Sequence, residues 1–226
     1  MIIALFDSDG TLYAPQFGRG MMAYAKTHGR SFDANAYYAS LVPEVLLGKI
    51  KLGNPERFQR ALIERLTWLF KDYTVEQANR AFEWVIDEYL LKQRRTDVIE
   101  RLQSHQSQGH EVLVVSGMFA PALKVLCDRL GVRHFVGTQL EVQDDRYTGR
   151  IIPPIIKGKD KVEQARKYLK SKNMEIDWQA SYAYGDSYTD RDMLESTGNA
   201  IAVYPDEKLN NLAKAQNWEI LGSPKA

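Results

Sequence analysis

The feature that most limits how this chain can fold is a run of five apolar residues, Ile2-Ile3-Ala4-Leu5-Phe6, that stops abruptly at Asp7-Ser8-Asp9-Gly10-Thr11. Five apolar residues are too few for a helix and suit a strand buried on both faces, as in a parallel sheet. The two acids then sit at the carboxyl end of a strand, the edge of an open α/β sheet where ligands bind. Two apart along an extended chain, Asp7 and Asp9 point to one side, an arrangement that costs energy without a cation or a shared proton. A calcium loop of the EF-hand kind is excluded: counted from Asp7, it would need glycine and glutamate where this chain has Leu12 and Gly18.

Beyond Leu12 the pattern turns helical for about eighty residues. Helices are expected from Gly18 to His28, stopped by Gly29, and from Asp33, as N-cap, to about Leu47. A third, Pro55 to about Tyr73, carries Phe58, Ala61, Leu62, Leu66, Leu69 and Phe70 on one stripe, and a fourth runs from Val75 to Arg94. These helices do not alternate with strands, so residues 15–94 are taken as an inserted helical domain. Residues 1–14 and 95–226 are taken as the α/β core. From Asp97 onward strand and helix alternate, the signature of a parallel sheet with crossover helices. Strands are expected at Glu111–Ser116, with Gly117 turning the chain, then at His134–Gly137, Ala180–Tyr184, Ala200–Val203 and Glu219–Leu221. A small hairpin is expected at 139–143 and 146–151.

Composition narrows the function classes. A chain of 226 residues can hold one large domain or a core with an insertion. Thirty basic against 29 acidic residues give a formal charge of +1, which disfavours nucleic acid as the partner. The single Cys127 excludes an intramolecular disulfide framework and lies at helical spacing with Leu123, Leu126 and Leu130, as a packing residue does. No apolar run is long enough to cross a bilayer, and the amino terminus leads from a strand straight into acids rather than through a basic and apolar leader. A cytoplasmic protein with no membrane partner is therefore expected.

Each buried core strand ends in a different functional group: Asp7 and Asp9, then Ser116, then Asp186 with Asp190 four residues on. A basic stretch, Lys157-Gly158-Lys159-Asp160-Lys161, opens a helix expected over Asp160–Lys172, where an anion would bind well. Several carboxylates call for a hard divalent cation, and Mg2+ takes one or two of them together with phosphate oxygens. The combination points to phosphoryl transfer.

In order and spacing these segments resemble the four motifs of the haloacid dehalogenase superfamily: Asp7-Ser8-Asp9-Gly10-Thr11, Ser116-Gly117, the lysine stretch, and Gly185-Asp186-Ser187-Tyr188-Thr189-Asp190. An insertion between the first and second motifs is similar to the phosphoserine phosphatase branch. The resemblance implies a Rossmann-like three-layer α/β core with a parallel sheet and a helical cap of the C1 type. It implies a Mg2+-dependent phosphatase acting on a small phosphorylated metabolite. Asp7 would be the nucleophile, forming an aspartyl-phosphate, and Asp9 the acid and base for leaving group and water. Ser116 and Gly117 would hold the phosphoryl group and a lysine would neutralise its charge. Lys161 fits the third motif best, with Lys159 and Lys157 as alternatives. Asp186 would ligate Mg2+ with Asp7 and the backbone carbonyl of Asp9, and Asp190 would support the lysine or a metal-bound water. The segment Phe58–Leu69 is similar to the cap helix whose arginine holds a substrate carboxylate, and Arg65 matches that arginine. Where those relatives carry a glutamate suited to an ammonium group, this chain has Gln16, which argues against serine phosphate itself. A phosphotransferase would share the aspartyl-phosphate; a non-catalytic binding module would be expected to have lost Asp7 or Asp186.

Overall fold

The structure, a computed structural model, describes residues 1–29, 31–43 and 55–224, with side chains from residue 35 and from residue 60 in the helices that begin at Ser31 and Pro55. Strand β1 (Ile3–Phe6) is the centre of a seven-stranded sheet with β2 (Glu111–Phe119), β3 (His134–Gln143), β4 (Arg146–Ile152), β5 (Tyr182–Gly185), β6 (Asn199–Val203) and β7 (Glu219–Leu221). The spatial order is β4-β3-β2-β1-β5-β6-β7. Only the β3–β4 pair is antiparallel. The expected α/β class with a parallel sheet is what forms, and its physical origin is visible in β1, whose four residues are buried on both faces. Ala4 and Phe6 face one layer, with Leu102 of α5 (Thr96–Ser107) and Leu126 of α6 (Ala120–Leu130). Ile3 and Leu5 face the other, with Leu169 of α7 (Lys159–Ser171), Met193 of α8 (Arg191–Leu194) and Leu209 of α9 (Glu207–Gln216).

Between β1 and β2 lie α1 (Phe17–Thr27), α2 (Ser31–Ser40), α3 (Pro55–Leu66) and α4 (Val75–Trp84), and no strand occurs among the described residues there. Their apolar stripes, including Met21, Leu66 and Phe82, join the same cluster as Phe119 and Leu123 beside the sheet, together with Phe70 of the turn that follows α3. The chain crosses to these helices and back on two adjacent paths: Ala14 N–H donates to the Gln93 carbonyl at 3.0 Å and Arg95 N–H to the Leu12 carbonyl at 2.9 Å.

Several boundaries differ from expectation. Strand β2 does not stop at Ser116 but continues to Phe119, with a register irregularity between Val115 and Phe119 that absorbs Gly117 without a turn. The expected short strand at 134–137 and the first arm of the hairpin are one strand, β3, which pairs parallel with β2 and then antiparallel with β4. The fourth helix begins on a reciprocal cap between Thr74 and Gln77, changes to a π-helix over Val85–Leu90 and ends as a 3-10 turn at Leu91–Gln93. Helix α2 starts before Asp33, so that residue is inside the helix rather than its cap, and the expected extension over 44–47 lies outside the described residues. The third helix likewise ends at Leu66 and tightens to a 3-10 turn over Thr67–Phe70.

Candidate active site

The register of the central strands decides what meets at the carboxyl edge. Phe6 pairs with Val114 on β2 and Tyr184 on β5, so Asp7 lies one residue beyond β1, and Ser116 and Asp186 lie two beyond their partners on either side. Asp7 is pinned by its own N–H, which donates to the Tyr184 carbonyl at 2.9 Å. Gly10, at φ 82°, then turns the chain in the left-handed region that glycine alone enters freely. Gly185 is needed for a different reason: a Cβ there would stand 2.6 Å from the Asp190 Cβ, so only glycine lets Asp190 fold back against the strand end.

Lys161, in the first turn of α7, reaches between two acids. Its Nζ donates to Asp7 Oδ1 at 2.6 Å and to Asp190 Oδ1 at 2.5 Å, and all three side chains are buried. Of the three lysines, Lys157 also lines the cavity, whereas Lys159 is exposed and does not. Burial alone would lower the Lys161 pKa, but Asp190 and Asp7 outweigh it and hold the ammonium above its ordinary value. Burial pushes the Asp7 carboxyl well above the usual carboxylate range against the pull of Lys161, and Asp190 and Asp186 add to that push. Asp190 is oriented by a second contact, Ser187 N–H to Oδ2 at 3.2 Å.

Asp7, Asp186 and Asp190 bring carboxylate oxygens within 4.8 Å of one another. Three buried carboxylates against one ammonium leave a surplus of negative charge, which is the donor set that a hard divalent cation such as Mg2+ fits. The sequence places Asp7, Asp186 and the backbone carbonyl of Asp9 at the metal, and among side chains Asp190 joins the first two. The Asp9 side chain is engaged elsewhere: Oδ1 accepts the Tyr13 hydroxyl, and Oδ2 accepts the Phe17 N–H at 3.1 Å. Burial raises its pKa to about 6, with those two donors holding it from going higher.

Ser116 is held in place by neighbours on both sides. Its Oγ lies 2.5 Å from Ser8 Oγ and accepts the Met118 N–H at 3.1 Å. Gly117 lines the cavity beside it, and its carbonyl accepts the Thr138 hydroxyl at 3.0 Å, a hydroxyl that itself accepts the Ile156 N–H. These groups open into a cavity of about 700 Å³ between the strand ends and α1, α2 and α3. Arg65 is not among its lining residues; its guanidinium donates to the Ser40 carbonyl and ties α3 to α2. Sequence reasoning did not reach Ser8 as a partner of Ser116, Tyr13 as a partner of Asp9, or the cavity positions of Arg19, Tyr37, Tyr38 and Asp206. Asp206 alone carried a usable signal, as an N-cap before the periodic helix α9.

A sequence model of the haloacid dehalogenase-like hydrolases matches residues 4–195, a span that holds all four motif segments. The chain belongs to this family. Across this hydrolase's relatives, a phosphoserine phosphatase from Mycobacterium tuberculosis is 27% identical over 221 residues, which is 96% of this chain and 69% of the relative. Among solved structures, a protein of unknown function from Bordetella pertussis Tohama I superposes with a TM-score of 0.84 at 21% identity, covering 97% of each chain. A phosphoserine phosphatase described as an analogue of its phospho-aspartyl intermediate superposes at 0.63 and 22% identity, covering 97% of this hydrolase and 92% of that chain. These structural likenesses establish the haloacid dehalogenase-like fold.

Proposed function

We propose that this hydrolase is a Mg2+-dependent phosphatase that cleaves a small phosphomonoester through an aspartyl-phosphate on Asp7, with residues 15–94 as a cap over the site. The observation that carries the proposal is Lys161 bridging Asp7 and Asp190 at the floor of the cavity, with the Asp186 carboxylate in the same group. Asp7 attacks phosphorus and the ester oxygen leaves, taking the proton of Asp9. Asp9, with a pKa of about 6, keeps part of its population protonated near neutral pH and can take a proton back. In the second step it draws that proton from the water that attacks the aspartyl-phosphate, which frees inorganic phosphate and restores Asp7. Ser116 and the Gly117 segment hold phosphoryl oxygens, and Lys161 offsets the charge shared by Asp7 and the phosphoryl group. Mg2+, held by Asp7, Asp186 and the Asp9 carbonyl, would supply further neutralisation of the phosphoryl oxygens, while Asp190 fixes Lys161. Closure of the helical part would exclude water.

A cytoplasmic setting belongs to the same reading. Cys127 is buried, with its thiol pushed up to about 12 by that burial, and no helix among the described residues is long and apolar enough to cross a membrane. Phosphate release from p-nitrophenyl phosphate tests the proposal. It should vanish in EDTA and return with Mg2+; full turnover in metal-free buffer would reject the metal-dependent mechanism.

A further inference from the structure

We infer that Tyr13 is a positioning residue for Asp9: its hydroxyl fixes the carboxyl group that protonates the leaving oxygen and then activates water, so both steps depend on it. This rests on the phosphatase reading and adds a residue that the reading does not use. The segment around Tyr13 is built to aim a side chain. Thr11 N–H and Leu12 N–H both donate to the Ser8 carbonyl, at 3.2 and 2.9 Å, and Arg95 donates through Nε to the Gly10 carbonyl at 2.9 Å. Tyr13 itself forms single bridges with Asp9 and with Arg94, at the place where the chain leaves the core for the helices and returns. Its side chain is fully buried in the cluster that holds Phe6, Leu12 and Phe17. A ring locked by packing in this way gives its hydroxyl one fixed direction.

That direction ends on Asp9 Oδ1, while Phe17 N–H, in the first turn of α1, reaches Oδ2 at 3.1 Å. Donors on both oxygens fix the plane of the carboxyl group and leave about two of its four lone-pair sites open. Those are what Asp9 offers to the cavity that it lines with Asp7 and Ser116. The two donors are not equivalent. Phe17 travels with α1, in the helical part that would close over the site, whereas Tyr13 lies on the core side of the crossing and stays with the strand end. The phenol also keeps its proton: burial, with the Asp9 charge behind it, holds its pKa well above the ordinary value, against the pull of a hydrogen bond from Ser8. Tyr13 does not line the cavity, so it acts on the reaction through Asp9 and not by touching substrate. Phenylalanine would fill the same apolar space, and a buried hydroxyl costs free energy unless it has a partner.

Tyr13→Phe keeps the ring and removes the hydroxyl, and two esters separate the steps it should affect. Phenolate is a stronger base than p-nitrophenolate and gains more from a proton on leaving. With Mg2+, kcat/KM reports phosphoryl transfer to Asp7, and decay of the phosphorylated chain reports attack by water. In Tyr13→Phe, kcat/KM for p-nitrophenyl phosphate should hold within about twofold while that for phenyl phosphate falls roughly fivefold, part of what a general acid contributes. Breakdown of the phosphorylated chain should slow about tenfold, the low end of what a hydrogen bond to a charged group is worth, so that a burst of p-nitrophenolate appears. The ratio of the two kcat/KM values and the first-order breakdown constant are independent of the fraction of chain that is folded, so partial unfolding cannot imitate either change. Added to Asp9→Asn, Tyr13→Phe should leave breakdown where Asp9→Asn alone puts it, because the hydroxyl acts only through that carboxyl group. An unchanged ratio, an unchanged or faster breakdown, or a further loss on top of Asp9→Asn would overturn the inference while leaving the phosphatase reading intact. Failure of the parent to hydrolyse both esters would overturn the phosphatase reading, and this inference with it.

Discussion

Replacing Lys161 by methionine keeps the length of the side chain and removes its charge, so it measures what the ammonium does for the carboxylates around it. In the parent the Lys161 side chain is 6% exposed and those of Asp7 and Asp190 are 7% and 2% exposed. Removing one partner of a buried ion pair costs about 3–5 kcal/mol, because the other charge is left uncompensated. Here the orphaned group includes Asp186 as well, within the same 4.8 Å. The variant can escape part of the cost by binding a proton, which raises the folded-state pKa of the carboxyl group above its unfolded value of about 4. A raised carboxyl pKa contributes stability that is fully present below the unfolded value and is lost as pH rises through the folded value. The deficit of Lys161→Met should therefore be about 3–5 kcal/mol at pH 8, and smaller at pH 5. Urea unfolding of both proteins in EDTA at the two pH values reads it directly. With an m value of about 2 kcal/mol/M, the midpoints should separate by roughly 2 M at pH 8. Added Mg2+ should stabilise the variant more than the parent. Equal midpoints at both pH values would refute the reasoning, since they would mean that Asp7, Asp186 and Asp190 do not share one dry site.

Two further outcomes follow from single features. Gly185→Ala would drive a Cβ to within 2.6 Å of the Asp190 Cβ, so it should cost ~1–3 kcal/mol in thermal or urea unfolding and lower kcat by displacing the partner of Lys161. His105, on α5, meets the Phe6 ring edge-on and is buried between Tyr184 OH at 2.8 Å and the His110 ring, and burial lowers its pKa to about 4. A histidine with a depressed folded pKa binds protons first in the unfolded state. Stability should thus fall as pH drops from about 6.5 towards 4, by on the order of 2–3 kcal/mol, and His105→Leu should flatten that part of the curve.

The architecture was legible because its strongest determinant is local. A short apolar run ending in acids can scarcely be anything but a buried strand with its functional end at the sheet edge, and β1 has that form. The strand and helix alternation after residue 95 carries the crossover topology in the same way. What could not be read is what depends on partners. Gly117 looks like a turn in sequence, yet the register irregularity with β3 lets the strand pass through it. Residues 134–143 look like two strands because their pairing changes from parallel to antiparallel midway, a change that leaves no mark on the chain. Periodicity shows which face of a helix is buried but not which residue beside that face reaches a cavity. Arg65 was singled out by resemblance and Arg19 was passed over, although the first meets a main-chain carbonyl and the second lines the cavity. Likewise three lysines within five residues are equivalent as letters, and only the turn that opens α7 turns Lys161 inward and leaves Lys159 outside.

The central claim is that Asp7 becomes covalently phosphorylated and that Asp9 is needed to release it. The most direct measurement uses Asp9→Asn with p-nitrophenyl phosphate, whose leaving group needs no proton, under acid quench and intact-mass analysis in Mg2+. The expected result is a burst of about one p-nitrophenolate per chain, a matching gain of one phosphoryl group, and peptide mapping that puts it on Asp7, with no adduct once Asp7 is also changed to Asn. Burst-free turnover with no adduct, or an adduct on a residue other than Asp7, would contradict it.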